Sequence, residues 1–305
     1  MPNTNESHAA EDKNLPKPVP FNWRTHDGLK LAGVDWRQRQ PNSQLNKIPV
    51  LCLPGLSRNT RDFNDVARFL QSHGHRVIAL DYRGRGLSDW DSDWQNYSLP
   101  VEQTDITAAI EELQLDRFAL LGTSRGGLHA LLMSQNYPSN RMAAVIFNDI
   151  GPQIDMRGLQ RIASSLDRPM AYASQNEIAL WLQQSLSSQF PEFTKAEWLK
   201  LAGQLASEKN GKFVFDYDPS LTRQFDDLDP DNPLPDLWPL YKTLADRPVF
   251  VLRGEFSDLL NIETCHQMTQ DHPDAGLKVI SKQGHAPVLW EPEVHSAILD
   301  FVEDL

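Results

Sequence analysis

The serine at position 124 stands in a pattern that is typical of nucleophilic catalysis. It lies between two glycines in the run Gly122-Thr123-Ser124-Arg125-Gly126, after an apolar stretch and before a helix-forming stretch. A strand, a tight turn and a helix in this order raise the serine hydroxyl above the end of a sheet. A side chain at either glycine would clash as the backbone doubles back. The run therefore predicts a nucleophilic serine, and the alternative is a structural turn with an incidental serine.

A nucleophilic serine needs a base, and the base needs an acid that orients it. His285 follows Gly284 directly after a β-like run, and Asp258 comes shortly after the apolar run Pro248–Arg253. Each of the three residues thus lies just past a predicted strand, in the chain order Ser124, Asp258, His285. The space beyond the carboxyl ends of parallel strands is where such loops converge and where ligands bind. We predict Ser124 as nucleophile, His285 as base and Asp258 as acid.

Two further loops carry recognisable motifs. Leu53-Pro54-Gly55-Leu56 ends one predicted strand, and the run DYRGRGLS begins at Asp81, after the next strand. Together with the serine turn and Gly284-His285, they resemble the motifs of the α/β-hydrolase fold superfamily over nearly the whole chain beyond residue 20. The resemblance implies attack on a carbonyl carbon, an acyl-enzyme, and an oxyanion hole formed by the backbone N–H groups of Leu56 and Arg125. Pro54 replaces the usual histidine of the first loop, but the N–H of Leu56 remains.

Three carboxylates compete for the role of the acid. Asp258 is preferred because its spacing after Gly254 resembles the acid loop of the superfamily. Glu255 lies directly at the strand end and has little room to turn toward His285. Asp149 follows the predicted strand Ala143–Asn148, from which the superfamily sometimes takes its acid, and it remains an alternative.

Apolar runs and helix-forming segments alternate along most of the chain. Such alternation predicts an α/β fold, with a mostly parallel sheet and helices on both faces. The predicted core comprises residues 21–152 and 246–305, and it begins with a hairpin that turns at Asp27-Gly28. Residues 153–245 are predicted to be helical without alternating strands, and the resemblance makes them a cap over the active site. Residues 1–20 are polar and contain proline, which predicts a flexible tail.

Three side chains are candidates for substrate binding. Trp181 and Trp198 lie in the predicted cap, where each could line an apolar pocket or pack inside the cap. Arg125 places a guanidinium beside the nucleophile. That group could bind a carboxylate of the substrate, or it could form a structural ion pair with an acidic neighbour such as Asp149. The structural pair is the preferred interpretation, because a buried charge needs an internal partner.

Composition excludes several classes of function. The 305 residues carry a net charge of −12 with no basic cluster, which argues against nucleic-acid binding and against binding to anionic membranes. No apolar stretch approaches 18 residues and no secretory signal is recognisable, so we expect no membrane span. Two cysteines without a signal sequence indicate a cytoplasmic protein with free thiols. We expect neither a metal nor a cofactor, and the sequence leaves the oligomeric state open.

The predicted function is cleavage of a small-molecule carboxylic ester, or a related acyl compound, by a serine hydrolase. Alternatives within enzymes are hydrolysis of a carbon–carbon bond in a ring-cleavage product, a thioesterase and a lactonase. A ligand-binding receptor with slow turnover is the alternative from another class. The complete set of Ser124, Asp258 and His285 argues against a receptor, because binding alone needs no proton relay.

Overall fold

The computed structural model describes residues 15–38, 47–166, 171–226, 228–229 and 234–305. Within these residues the strands are β1 (Val19–Arg24), β2 (Lys30–Trp36), β3 (Val50–Leu53), β4 (Val77–Asp81), β5 (Phe118–Thr123), β6 (Met142–Asn148), β7 (Ala171–Tyr172), β8 (Ala206–Lys209), β9 (Lys212–Phe215), β10 (Val249–Gly254) and β11 (Ala275–Ile280). The α-helices are α1 (Asn64–Ser72), α2 (Leu99–Glu112), α3 (Arg125–Met133), α4 (Met156–Leu166), α5 (Gln175–Leu186), α6 (Lys195–Leu205), α7 (Trp238–Lys242), α8 (Ile262–Gln270) and α9 (Pro292–Glu303).

The central sheet has eight strands in the order β1-β2-β4-β3-β5-β6-β10-β11. The pairs β1–β2 and β2–β4 are antiparallel, and every other neighbouring pair is parallel. This is the mostly parallel sheet that the sequence predicts, with the predicted hairpin at its antiparallel edge. The parallel strands β3, β5, β6 and β10 therefore end at the same edge of the sheet, where the predicted catalytic loops begin.

Alternate residues of the central strands pack against helices on opposite faces of the sheet. Leu51 of β3 belongs to an apolar cluster with residues of α2, α3 and α8, whereas Cys52 belongs to one with residues of α1 and α9. Both faces of a parallel sheet are buried in this arrangement, which is why these strands are continuous apolar runs. Helices packed on both faces hold the strands in place, and the loops that begin at the strand ends are positioned by them.

The inserted segment, residues 153–245, contains the predicted helices and also a small sheet that the sequence analysis did not predict. Strands β7, β9 and β8 form this antiparallel sheet. Asn210 and Gly211 connect β8 to β9 with φ values of 52° and 75°. An Asn-Gly pair with positive φ at both positions is the favoured two-residue hairpin turn, so the local signal was present in the sequence. The division into core and cap at residues 153 and 245 stays a prediction.

Backbone hydrogen bonds join the inserted segment to the loop after β4. The N–H of Gly86 donates to the carbonyl of Asp216 at 2.8 Å, and the N–H of Asp218 donates to the carbonyl of Gly84 at 2.8 Å. The hydroxyl of Tyr97 donates to Asp218 Oδ2 at 2.5 Å. These contacts hold the inserted segment to the core in addition to the two places where the chain enters and leaves the segment.

The predicted flexible tail, residues 1–20, lies mostly outside the described residues, because the description begins at residue 15. Strand β1 starts at Val19, so the last two residues of the predicted tail belong to the sheet. Val19 and Pro20 pair with Asp35 and Val34 of β2.

Candidate active site

Ser124 lies at the predicted turn between β5 and α3. Its φ of 50° and ψ of −112° are unusual for a residue with a side chain, so the surrounding structure must hold this conformation. A Cβ atom at Gly122 would lie 2.4 Å from the carbonyl carbon of Gly126, and one at Gly126 would lie 2.1 Å from the carbonyl oxygen of Leu53. Neither position tolerates a side chain. The packing thus agrees with the reason given for the two glycines in the sequence analysis.

Ser124, His285 and Asp149 form a continuous chain of hydrogen bonds. Ser124 Oγ lies 3.0 Å from His285 Nε2, and His285 Nδ1 lies 2.8 Å from Asp149 Oδ2. Asp149 is fully buried, and the side chain of His285 is almost so. The carboxylate can hold the ring so that Nε2 faces the serine as a hydrogen-bond acceptor. Two predicted residues are therefore brought together, and the third partner is Asp149.

The structure contradicts the placement of Asp258 beside His285. Asp258 pairs with Arg161 of α4, with Oδ2 at 2.5 Å from Nε and Oδ1 at 2.8 Å from Nη2. Its side chain remains 27% exposed. Asp258 therefore joins the loop after β10 to the inserted segment, and the alternative acid of the sequence analysis, Asp149, contacts the histidine.

The loop after β10 nevertheless contributes to the site through its backbone and a serine. Asp149 Oδ1 accepts from the N–H of Gly254 at 2.8 Å, and Oδ2 accepts from the Ser257 hydroxyl at 2.6 Å. Asp149 itself has a φ of 59°, a conformation that aspartate adopts more readily than most residues. Gly254 and Ser257 thus fix the carboxylate that faces His285. Ser257, next to Asp258, is a supporting residue that the sequence analysis missed.

Two more residues that the sequence analysis missed support the histidine loop. Gln189 of the inserted segment accepts through Oε1 from the N–H of His285 at 2.8 Å. Asn148 donates through Nδ2 to the carbonyl of Pro287 at 3.1 Å. A Cβ at Gly284 would lie 2.1 Å from Gln189 Oε1, so a side chain there would displace the amide of Gln189 from its hydrogen bond with His285. No local pattern marks Gln189, because its role depends on the folded position of the inserted segment.

The two predicted oxyanion donors remain available near the serine. Among the described residues, no hydrogen bond uses the backbone N–H of Leu56 or of Arg125. A Cβ at Gly55 would lie 3.8 Å from Ser124 Cβ, so the loop before Leu56 passes beside the nucleophile. Arg125 begins α3, where the first N–H groups have no partner within the helix. Their use as an oxyanion hole stays a prediction.

The side chain of Arg125 is held in an ion pair instead of facing a substrate. Its Nε donates to Glu102 Oε2 at 2.6 Å, and its Nη2 donates to the carbonyl of Tyr97 at 2.9 Å. Arg125 is buried and does not belong to the wall of the cavity above Ser124. The preferred interpretation as a structural pair therefore agrees with the structure, but the partner is Glu102 and not Asp149.

The cavity above Ser124 lies between the core and the inserted segment. Its wall combines polar side chains, among them Ser124, His285, Asn148 and Gln204, with a larger apolar part that includes Leu56, Ile162, Leu166, Trp181, Leu182, Leu186, Leu205, Val288, Leu289 and Trp290. Trp181 belongs to this wall, which agrees with the first of its two predicted roles, lining a pocket instead of packing inside the cap. Trp198 does not: it is 2% exposed and packs against Phe190 and Phe193. Trp198 is therefore not a residue of the substrate cavity, and its role is packing within the inserted segment.

Two arginines also line this cavity, and each is oriented by an aspartate. Arg58 donates from Nε and Nη2 to Asp62 at 2.6 and 2.8 Å, while Arg161 makes the equivalent two contacts with Asp258. Their side chains are 26% and 22% exposed. Within the described part of the chain, neither Nη1 takes part in a hydrogen bond. Each guanidinium therefore keeps a free donor near the cavity.

Two features are absent from the described residues. No helix there is long and apolar enough to span a membrane. No cluster of three or more His, Cys, Asp or Glu side chains that could hold a metal ion occurs in these same ranges.

A match to a family model shows to which protein family the chain belongs. The model of the alpha/beta hydrolase fold matches residues 48–292. The chain belongs to the α/β-hydrolase fold family. This agrees with the fold predicted from the sequence, and it supports the coarser prediction of a hydrolase.

The names of individual relatives state different activities. The chain is 29% identical over 254 residues to a 3-hydroxybutyrate-oligomer hydrolase of Cupriavidus necator, covering 81% of this chain and 85% of the relative. It is 24% identical to a putative 2-succinyl-6-hydroxy-2,4-cyclohexadiene-1-carboxylate synthase of Bacillus subtilis, covering 90% and 94%. The crystal structure of an α/β hydrolase from Novosphingobium aromaticivorans superposes with a TM-score of 0.87 at 34% identity, covering 95% of this chain and all of that one.

Proposed function

We propose that this protein is a serine hydrolase that cleaves carboxylic esters through an acyl-enzyme intermediate. The observation that carries the proposal is the hydrogen-bonded chain from Ser124 through His285 to Asp149, of which Ser124 and His285 line the cavity between the core and the inserted segment. A binding protein has no need of such a relay. The family membership supports the same reaction class.

In the proposed reaction, Ser124 Oγ attacks the ester carbonyl carbon while His285 Nε2 takes its proton. Asp149 stabilises the resulting imidazolium, and the N–H groups of Leu56 and Arg125 bind the oxyanion of the tetrahedral intermediate. The C–O bond then breaks, and the alcohol leaves with the proton from His285. Water attacks the acyl-enzyme in the second half, with His285 again as base, and releases the acid and free Ser124.

Turnover of p-nitrophenyl butyrate tests the reaction class, with Ser124→Ala as the decisive variant. We expect wild-type protein to hydrolyse the ester and to bind a fluorophosphonate at Ser124 alone. Ser124→Ala should fold normally and lose several orders of magnitude in kcat, as triad substitutions do. Activity or labelling that persists in this variant would exclude the assignment. Thioester, lactone and vinylogous diketone substrates, measured beside the ester, separate the other hydrolase classes.

We further propose that the natural ester carries a free carboxylate, as a short oligoester of a hydroxy acid does. The name of the Cupriavidus relative and the two arginines of the cavity support this substrate class. Arg58 lies near the nucleophile, because a Cβ built at Gly55 would lie 3.1 Å from Arg58 Cγ and 3.8 Å from Ser124 Cβ. Asp62 orients the guanidinium of Arg58 through Nε and Nη2, which leaves Nη1 for a charge-assisted contact with a carboxylate.

A pair of matched esters tests the substrate class, one neutral and one with a terminal carboxylate. In Arg58→Gln and in Arg161→Gln, kcat/KM for the anionic ester should fall by about tenfold or more, the value of one charge-assisted hydrogen bond. The neutral ester should change little in the same variants, which controls for damage to the fold. Equal losses for both esters would contradict a carboxylate site and leave the reaction class untouched.

A further inference from the structure

A buried carboxylate connects the two backbone segments that carry the proposed oxyanion donors. Glu102 lies on α2 and is fully buried. Its Oε2 accepts from Arg125 Nε at 2.6 Å, and its Oε1 lies 2.8 Å from Arg85 Nη1 in an ion pair. Arg125 directly follows the nucleophile. This connection therefore ends at Arg125, whose backbone N–H is one of the two proposed oxyanion donors.

Arg85 extends the connection to the other proposed donor. Its Nε donates to the carbonyl of Leu56 at 2.8 Å. The carbonyl of Pro54, two residues earlier in the same loop, accepts from the hydroxyl of Tyr82 at 3.1 Å. Both contacts come from the loop after β4, and Arg85 is fully buried. The backbone of Leu56 is thus tied through Arg85 and Glu102 to the side chain of Arg125.

The charge state of Glu102 makes this connection strong. Burial opposes ionisation, but the attraction of Arg125 and Arg85 outweighs it and lowers the pKa of Glu102 well below its usual value. The group is therefore an ionised carboxylate near neutral pH. Contacts in which both partners are charged are shorter and stronger than neutral hydrogen bonds. Such contacts suit a structure that must hold two loops at a fixed spacing.

We propose that Glu102, together with Arg85 and the guanidinium of Arg125, is a positioning unit for the oxyanion hole. The proposal rests on the proposed function, because the hole has a role only if Ser124 forms a tetrahedral intermediate. The three side chains do not belong to the wall of the cavity, so they act through the backbone of Leu56 and Arg125. Stabilisation of an oxyanion depends on donors that are already in place, so a small displacement lowers kcat.

The experiment compares Glu102→Gln with the control Asp105→Asn. Asp105 is on the same helix, is also buried, and also pairs with an arginine of the loop after β4, namely Arg83 at 2.7 Å through each oxygen. The other ion-pair partners of Arg83 are Asp27 and Asp91, outside the cavity wall. Both substitutions should lower the melting temperature, and only Glu102→Gln should disturb the oxyanion hole.

For Glu102→Gln we expect kcat for p-nitrophenyl butyrate to fall by about 10- to 100-fold, less than the loss of a whole donor costs, with KM little changed. A phenylboronic acid should inhibit it more weakly by a similar factor, because the adduct with Ser124 places an oxygen in the hole. Asp105→Asn should keep the wild-type values of kcat and of the inhibition constant. A structural role alone would not separate the two variants in this way.

If Glu102→Gln fails to fold, Arg125→Gln provides the same test, because it keeps the backbone N–H and breaks only one contact of the positioning unit. Unchanged kcat and boronic acid inhibition in a folded variant would overturn the proposal, and so would an equal loss in Asp105→Asn. These outcomes differ from a failure of the proposed function. In that case Ser124→Ala would remain active, whatever Glu102→Gln does.

Discussion

Asp149 and Asp258 both follow strands at the same edge of the sheet, but their surroundings predict opposite effects of substitution. Asp149→Asn removes the charge beside His285 Nδ1 and should lower kcat by about 10⁴-fold with little change in fold. Asp258→Asn breaks a partly exposed ion pair with Arg161, and it should keep kcat for a neutral ester within a few fold. Steady-state hydrolysis of p-nitrophenyl butyrate by both variants checks this. An active Asp149→Asn beside an inactive Asp258→Asn would restore the original prediction.

Single residues also show how far the sequence determines the candidate site. Ser124 and His285 can be predicted as partners because glycines and flanking strands mark them locally. The sequence prefers Asp258 as the acid and leaves Asp149 as the alternative, because the choice between them depends on the φ of Asp149 and on hydrogen bonds from Gly254 and Ser257. No pattern along the chain encodes those contacts. The partner of Arg125 was missed for the same reason, since Glu102 lies on another helix.

Helices α5 and α6 of the inserted segment carry two tryptophans with different surroundings. Trp181 is on the cavity wall, so Trp181→Ala should shift the preference among acyl chain lengths. Trp198 is inside an apolar cluster, so Trp198→Ala should destabilise the fold by about 3–5 kcal/mol. Melting temperatures and kcat/KM for a series of p-nitrophenyl esters separate the two effects. A Trp198→Ala protein of normal stability with altered chain-length preference would contradict the packing role.

The helices of the inserted segment can be predicted from the sequence, whereas its three strands were not predicted at all. Periodic apolar residues and caps such as Thr194 with Glu197, a capping box at the start of α6, mark helices within the local sequence. Strand β7 has only two residues, and its pairing with β9 joins positions about 40 residues apart. Such a short strand exists only because its partner is already in place. Long-range pairing of this kind cannot be derived from periodicity.

Three buried histidines predict how the free energy of unfolding depends on pH. Burial lowers the pKa of His75, His129 and His295 in the folded chain. Below about pH 6.5 the unfolded chain takes up protons at these positions that the folded chain does not, so the free energy of unfolding falls as the pH falls. Urea midpoints at pH 8, 7, 6 and 5.5 check this. A urea midpoint that rises as the pH is lowered from 8 to 5.5 would contradict this prediction.

Two variants test which groups cause this dependence. His295 Nε2 lies 2.9 Å from the carbonyl of Leu289, and His295→Gln can keep a donor there without titrating, so the decrease should become smaller. Asp81 acts in the opposite direction, because burial raises its pKa to about 6 and the folded chain binds its proton first. Asp81→Asn should therefore make the decrease steeper. An unchanged slope in both variants would assign the effect to other groups.

The hydrogen bonds between the loop after β4 and the inserted segment limit how this segment can be exchanged between related proteins by recombination. A chimera joined at residues 152 and 246 would take Asp216 and Asp218 from one parent and their partners Gly84, Gly86 and Tyr97 from the other. The transferable unit is therefore not one contiguous stretch. Residues 82–97 have to travel with the inserted segment, and we expect these two distant stretches to be inherited together in productive recombinants.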